Sequence, residues 1–299
     1  MYEIVANKLN AIDVDKMEYF ARDCHGLGIR NTFDHLRFIS QCRVMFPNDS
    51  DNTTIAVRDK EKLNLYELFH TRNGLFRRAY QHPGTHGIQL MIADALVEAN
   101  EHLLFPTKDE EKITKIKMSD AWKDMSVYEK LTDSVVDLIL MREDEKGMKK
   151  AKDLIHRIYK RQLYRLVGQT DPETNVTKEK LSDIENDLQD EELFTKDDSK
   201  VQNDTERITK DDFQVQKLTF SYGMKKENPI TSVYFYKKGS FECFPGGEPT
   251  KTSLFLPSGN VQEEIVLVYS TSLNKNKTDK LSRKWDDLKK NEDAKKAMK

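Results

Sequence analysis

The chain has 299 residues, of which 37% are hydrophobic and 33% charged, and a formal net charge of −2. That length can bury the core of one large or two modest domains. The near-neutral balance excludes a global field driving the chain onto nucleic acid or an acidic membrane, so any anion site must be local.

Three widely spaced cysteines, Cys24, Cys42 and Cys243, give neither a disulfide framework nor a CxxC zinc site. No apolar run reaches the length of a membrane span, and residues 1–8 lack the basic start and long apolar stretch of a signal peptide. The chain reads as intracellular, with no membrane partner.

In chain order, residues 13–25 read as a short helix with Val14, Phe20 and Ala21 among acids. Residues 33–44 are expected to be helical, with Phe33, Leu36, Ile39 and Val44 as one apolar stripe, and residues 53–57 to form a brief strand. From Lys60 to His82, Leu65, Phe69, Phe76 and Tyr80 repeat at helical spacing, which predicts one long amphipathic helix ended by Pro83-Gly84. Further helices are expected over 88–99, 128–141 and 149–162.

Residues 171–212 hold fifteen acids against six bases. Together with the two residues before them they predict an acidic linker or insertion, 169–212, carrying one weak helix. Strand-like runs at 213–218, 233–236 and 265–269 predict a small sheet-containing lobe over 213–271. Residues 272–299, with ten bases against five acids, read as a solvated, disordered basic tail. The expected fold is mainly α over 1–168 with a small α+β C-terminal lobe.

Two polar constellations carry candidate chemistry. Asp15, Tyr19 and Asp23 are spaced i, i+4, i+8 and share a helix face beside Lys16. A carboxylate there suits a divalent cation or a sugar hydroxyl, while the phenol and ammonium suit phosphate. The alternative is a solvated face with Asp15 and Asp23 paired to Lys16 and Arg22. Arg72, Phe76 and Tyr80 repeat that spacing: a guanidinium fork fits phosphate and Tyr80 a sugar face, or the set is ordinary core with Arg72 at its edge. Arg37, Arg58, Lys60 and Asn64 gather cations and an amide near a helix start. Arg161 and Arg165 fit the C-terminal end of a helix on dipole grounds alone.

Residues 4–8, 12–16 and 19–24, Leu65-Tyr66, 69–73 and 77–82, the run Lys130-Leu131-Thr132-Asp133, Tyr222-Gly223-Met224 and Asn228-Pro229 together resemble the sterile-alpha-motif and HD-domain deoxynucleoside triphosphate triphosphohydrolases. The resemblance implies the C-terminal part of an HD-domain helical fold, in an enzyme cleaving a dNTP to deoxynucleoside and inorganic triphosphate. By resemblance, Asp15 is a metal ligand. Lys16, Tyr19 and Arg72 hold the triphosphate, Asp23 and Tyr80 check the deoxyribose, and Gln81 lies beside sugar and base. Asp15, Arg72 and Tyr80 are the implied catalytic set.

The implied cofactor is a divalent metal (Fe, Zn or Mn, with Mg). GTP and dNTP are implied as allosteric activators that assemble a homo-tetramer. Arg161 and Arg165 match the guanine-nucleotide pocket, and Asp34, Arg37, Arg58, Lys60, Asn64 and His82 match the neighbouring dNTP pocket. A nuclear location is also implied.

Departures accompany the match. The family's histidine pair and His-Asp dipeptide have no counterpart in this sequence, so the expectation is that the chain alone is inactive. Phe76 replaces a usual histidine, Pro83 a lysine, Arg165 a lysine and Glu227 a lysine, the last beside Lys226. The alternatives carried are a non-catalytic nucleotide-binding or oligomerisation module, and a single-stranded nucleic-acid binder using Arg37, Arg58, Lys60 and the tail.

Overall fold

The computed structural model describes residues 2–47, 52–108, 113–142, 146–189, 207–221, 223–224, 227–247 and 262–297. In chain order its elements are α1 (Tyr2–Val5), α2 (Val14–Leu27), α3 (His35–Ser40), β1 (Cys42–Met45), β2 (Thr54–Arg58), α4 (Lys62–Leu75), α5 (Pro83–Asn100), β3 (Leu104–Lys108) and β4 (Ile113–Lys117). There follow α6 (Met125–Tyr128), α7 (Val135–Met141), α8 (Lys149–Tyr159), β5 (Arg165–Gln169), α9 (Lys178–Leu188), β6 (Phe213–Ser221), β7 (Tyr234–Tyr236), β8 (Cys243–Pro245), β9 (Gln262–Ser270) and α10 (Lys275–Ala297). Helix predominates, as expected, with a smaller share of strand.

The chain divides into two compact units that interleave in sequence. The first comprises Met1–His82, Thr170–Lys180 and Lys217–Val266, and the second Pro83–Gln169, Leu181–Gln216 and Leu267–Lys299.

In the first unit, α2 begins where the Asp13 carboxylate accepts from the Lys16 amide at 3.2 Å, an N-cap that satisfies a donor the helix cannot. It ends at Gly28, whose φ of +66° is the left-handed conformation a side chain would disfavour. Phe20 and Cys24 of α2 are buried with Phe33, Phe38, Val57, Leu65, Tyr66, Leu68, Phe69, Leu75, Ile230, Val233 and Phe235 in one core. A sheet in the order β1-β2-β7-β8 flanks it, with β2 and β7 parallel and the other pairs antiparallel.

The helix expected over 33–44 stops at Ser40, because Cys42–Met45 pairs with Thr54–Val57 as β1. Leu36, Ile39 and Val44 are exposed, and the buried anchors are Phe33 and Phe38. The expected helix from Lys60 to His82 is α-helical only from Lys62 to Leu75. It then widens into a π-helical turn, Phe76–Tyr80, closed by the Gln81 amide donating to the Phe76 carbonyl at 2.7 Å. Pro83 opens α5 rather than merely ending its predecessor, which suits a residue with no amide to satisfy.

In the second unit, α5 packs along α8, and β5 pairs antiparallel with residues 267–270 of β9. Strands β3 and β4 pair antiparallel between α5 and α6, and of the helix expected over 128–141 only Val135–Met141 forms an α-helix beyond Tyr128, as α7. The expected linker helix is present, and the expectation of a disordered tail is corrected by packing. Residues 178–188 form α9 with Ile184 and Leu188 buried, while 190–206, the rest of the expected linker's centre, lie outside the described residues. The tail forms α10, whose Thr278, Leu281 and Trp285 are buried. Trp285 lies so close over Gly168 that a Cβ there would approach its ring to 2.3 Å. Among the described residues no helix is long and apolar enough to cross a membrane.

Candidate nucleotide site

The first unit brings the two polar constellations together. Tyr80, at the end of the π-helical turn, donates its hydroxyl to Asp23 Oδ2 on α2 at 2.5 Å. Asp23 Oδ1 accepts from Arg22 at 2.7 Å, so the ion-paired alternative holds for one of its oxygens and not for the other. The rings of Tyr80 and Tyr19 are 6.4 Å apart. Burial first, then the bond to Asp23, push the Tyr80 phenol far above its ordinary pKa, so Tyr80 is a neutral donor throughout the physiological range. Tyr19 is also raised by burial, with the nearby Arg72 charge opposing.

Arg72 leaves α4 from the face that carries Phe69, which is fully buried. Its Nη1 donates to the Ser221 carbonyl at the end of β6, at 2.5 Å, and its Cζ stands 4.2 Å from the centroid of the Phe76 ring. Burial lowers its pKa, and Tyr19 opposes that shift. Among the described residues no carboxylate forms an ion pair with Arg72, so its charge is available to an anion. Gly223, at φ +120°, runs beside it: a Cβ there would lie 3.9 Å from Arg72 Nε and 3.8 Å from Phe69. Tyr222 and Lys226 lie outside the described residues.

Lys16 lies in the same helix turn as Asp15 but pairs with Asp13, at 3.4 Å. The Oε1 of Gln81 is buried with no hydrogen-bond partner among the described residues, an acceptor that a bound donor would satisfy.

Asp15 is exposed on the first turn of α2. Among the described residues no three His, Cys, Asp or Glu side chains converge to hold a metal ion. One carboxylate does not make a transition-metal site, which needs several ligands and an ordered outer shell. The residues present therefore do not fit a metal by themselves.

A second cluster gathers three of the expected effector residues, Asp34, Arg37 and Asn64, around Glu61. The Asp34 carboxylate caps α3 by accepting from the Arg37 amide at 2.9 Å. Asn64 exchanges two bonds with the Asp34 backbone, at 3.1 and 3.0 Å. Both converge on Glu61, whose Oε1 accepts from Arg37 Nε at 2.8 Å and whose Oε2 accepts from Asn64 at 3.1 Å. Glu61 is completely buried. The sequence reading missed it, although its spacing of three from Asn64 on a helix start was a usable sign. Arg58 contacts Asp59 at 3.3 Å, and Lys60 and His82 are exposed. Arg161 and Arg165 are exposed residues of the second unit, the former in a left-handed conformation (φ +58°) just after α8. They are not brought together with the Asp34 cluster within one unit.

No family profile matches the chain. Among curated proteins it is 40% identical over 276 residues to deoxynucleoside triphosphate triphosphohydrolase SAMHD1 of Homo sapiens, covering 92% of this chain and 42% of that protein. The Xenopus laevis protein of the same name is 38% identical over 280 residues, covering 90% and 41%. The Dictyostelium discoideum SAMHD1 homolog is 30% identical over 276 residues, covering 92% and 47%. The chain thus spans less than half the length of these relatives. Over about nine-tenths of its own length, the chain is similar to part of the proteins named deoxynucleoside triphosphate triphosphohydrolase SAMHD1.

Proposed function

We propose that the chain supplies the nucleotide-holding wall of a dNTP triphosphohydrolase. Arg72, Lys16 and Tyr19 take the triphosphate, Tyr80 and Asp23 face the deoxyribose, and Gln81 lies beside sugar and base. One observation carries this reading: a half-buried arginine that pairs with no carboxylate among the described residues stands in the same unit as a phenol–carboxylate pair, Tyr80–Asp23.

The chemistry would be hydrolysis at the α-phosphorus, with water adding and the bond to O5′ breaking to release deoxynucleoside and triphosphate. Arg72 would hold charge on the triphosphate through charge-assisted hydrogen bonds while the deoxynucleoside 5′-oxygen leaves and takes up a proton from the attacking water or solvent. A 2′-hydroxyl would press on the Tyr80–Asp23 pair. No step is assigned to a metal, because Asp15 alone does not hold one.

Asp34, Arg37, Arg58, Lys60, Asn64 and His82 would form an effector dNTP pocket, and Arg161 and Arg165 part of a GTP pocket at an assembly interface. The lack of any three converging metal-type side chains among the described residues favours a second reading, a nucleotide-binding module without catalysis. Equilibrium titration of the chain with dGTP and GTP tests the shared claim. Tyr80→Ala should narrow the preference for dGTP, and an unchanged ratio would remove Tyr80 from the sugar site.

A further inference from the structure

Phe76 touches three of the candidate site residues in three different ways. Its ring face lies under the Arg72 guanidinium, at 4.2 Å from centroid to Cζ. Its ring edge meets Tyr80 at 5.1 Å and 89°. Its carbonyl accepts the Gln81 amide that closes the π-helical turn. We propose that Phe76 is the positioning residue of the triphosphate grip, holding the Arg72 guanidinium in place without neutralising it.

A carboxylate beside Arg72 would fix the side chain equally well but would cancel the charge an incoming phosphate needs. A ring face attracts a cation through its quadrupole and accepts no conventional hydrogen bond. The guanidinium is then anchored by the ring and by the Ser221 carbonyl at Nη1, beside Tyr19, and it forms no ion pair with a carboxylate among the described residues. The π-helical turn contributes geometry: such bulges recur at functional sites, and here the turn starts at Phe76 and ends at Tyr80. One aromatic side chain thereby sets the spacing between the cation for phosphate and the phenol for sugar. Phe76 itself carries no proton to transfer.

This inference rests on the reading of Arg72 as the triphosphate contact, and its test separates the two. The complete 299-residue chain is titrated with inorganic triphosphate, and the Arg72 side-chain N–H resonances are read by NMR in the ligand-free state. The expected result is an upfield ring-current shift of the Arg72 signals that is lost in Phe76→Leu and kept in Phe76→Trp. Triphosphate affinity should fall by about fivefold in Phe76→Leu and be restored in Phe76→Trp. Equal melting temperatures for the two variants would exclude loss of folding as the cause. Arg72 signals at unshifted positions in the parent chain would overturn the proposal. So would Phe76→Leu binding as tightly as the parent while Arg72→Ala fails to bind. Arg72→Ala binding as well as the parent, with the ring-current shift present, would instead sink the reading of Arg72 and leave its placement by Phe76 standing.

Discussion

The Tyr80 hydroxyl donates to Asp23 Oδ2 at 2.5 Å across 57 positions of sequence, tying the π-helical turn to α2. Each group alone is ordinary. Together they make a neutral donor and acceptor pair, and the proposed sugar-facing role rests on that coupling. Tyr80→Phe and Asp23→Asn should therefore not be additive: in a double-mutant cycle on dGTP affinity the coupling should reach about 1–2 kcal/mol. Independent effects would mean that the bond does not matter for the nucleotide.

Glu61 is completely buried and accepts from Arg37 and Asn64. Arg37→Met leaves that carboxylate with one partner fewer, and because the Arg37 side chain is half exposed the cost should be about 2 kcal/mol rather than that of a fully buried pair. Urea unfolding of the chain and the variant measures it. A change below about 0.5 kcal/mol would show that water replaces Arg37 freely.

Burial holds the His86 imidazole below its ordinary pKa, so the unfolded chain takes up a proton before the folded one as pH falls. The stability it contributes is fully present above about pH 6.5 and is lost as pH drops toward the folded value. His86→Gln should flatten the fall in melting temperature between about pH 7.5 and about pH 5.5. The same slope in both proteins would assign that fall to other groups.

Part of the candidate site was legible in the sequence, because helical spacing groups Tyr19 with Asp23 and Arg72 with Phe76, although the π-helical turn at Phe76–Tyr80 was not. What spacing could not show was which partners meet: Lys16 goes to Asp13, not Asp15, and Ser221 anchors Arg72 from 149 positions away. The strand at Cys42–Met45 was hidden because its identity comes from pairing with β2, a tertiary effect that overrides local pattern. The tail was misread because composition averages over the helix. Among its described side chains the buried stripe is Thr278, Leu281 and Trp285, spaced i, i+3, i+7 among lysines. Trp285→Ala should cost about 3–5 kcal/mol and expose α10 to proteolysis, and an unchanged digestion pattern would contradict the packing on Gly168.

With one candidate metal carboxylate, Asp15, the chain on its own should release no inorganic triphosphate from dGTP above background with Mg²⁺, Mn²⁺ or Fe²⁺ present. Steady turnover abolished by Asp15→Ala would mean that a metal site forms after all.

The most direct measurement is the equilibrium affinity of the chain for dGTP, compared with that of Arg72→Ala. Charge-assisted contacts from a guanidinium that meets no carboxylate among the described residues are worth roughly 1.5–3 kcal/mol, so the variant should bind at least about tenfold more weakly while melting within a few degrees of the parent. An Arg72→Ala chain that binds dGTP as tightly as the parent would contradict a nucleotide site built around Arg72, Tyr80 and Asp23.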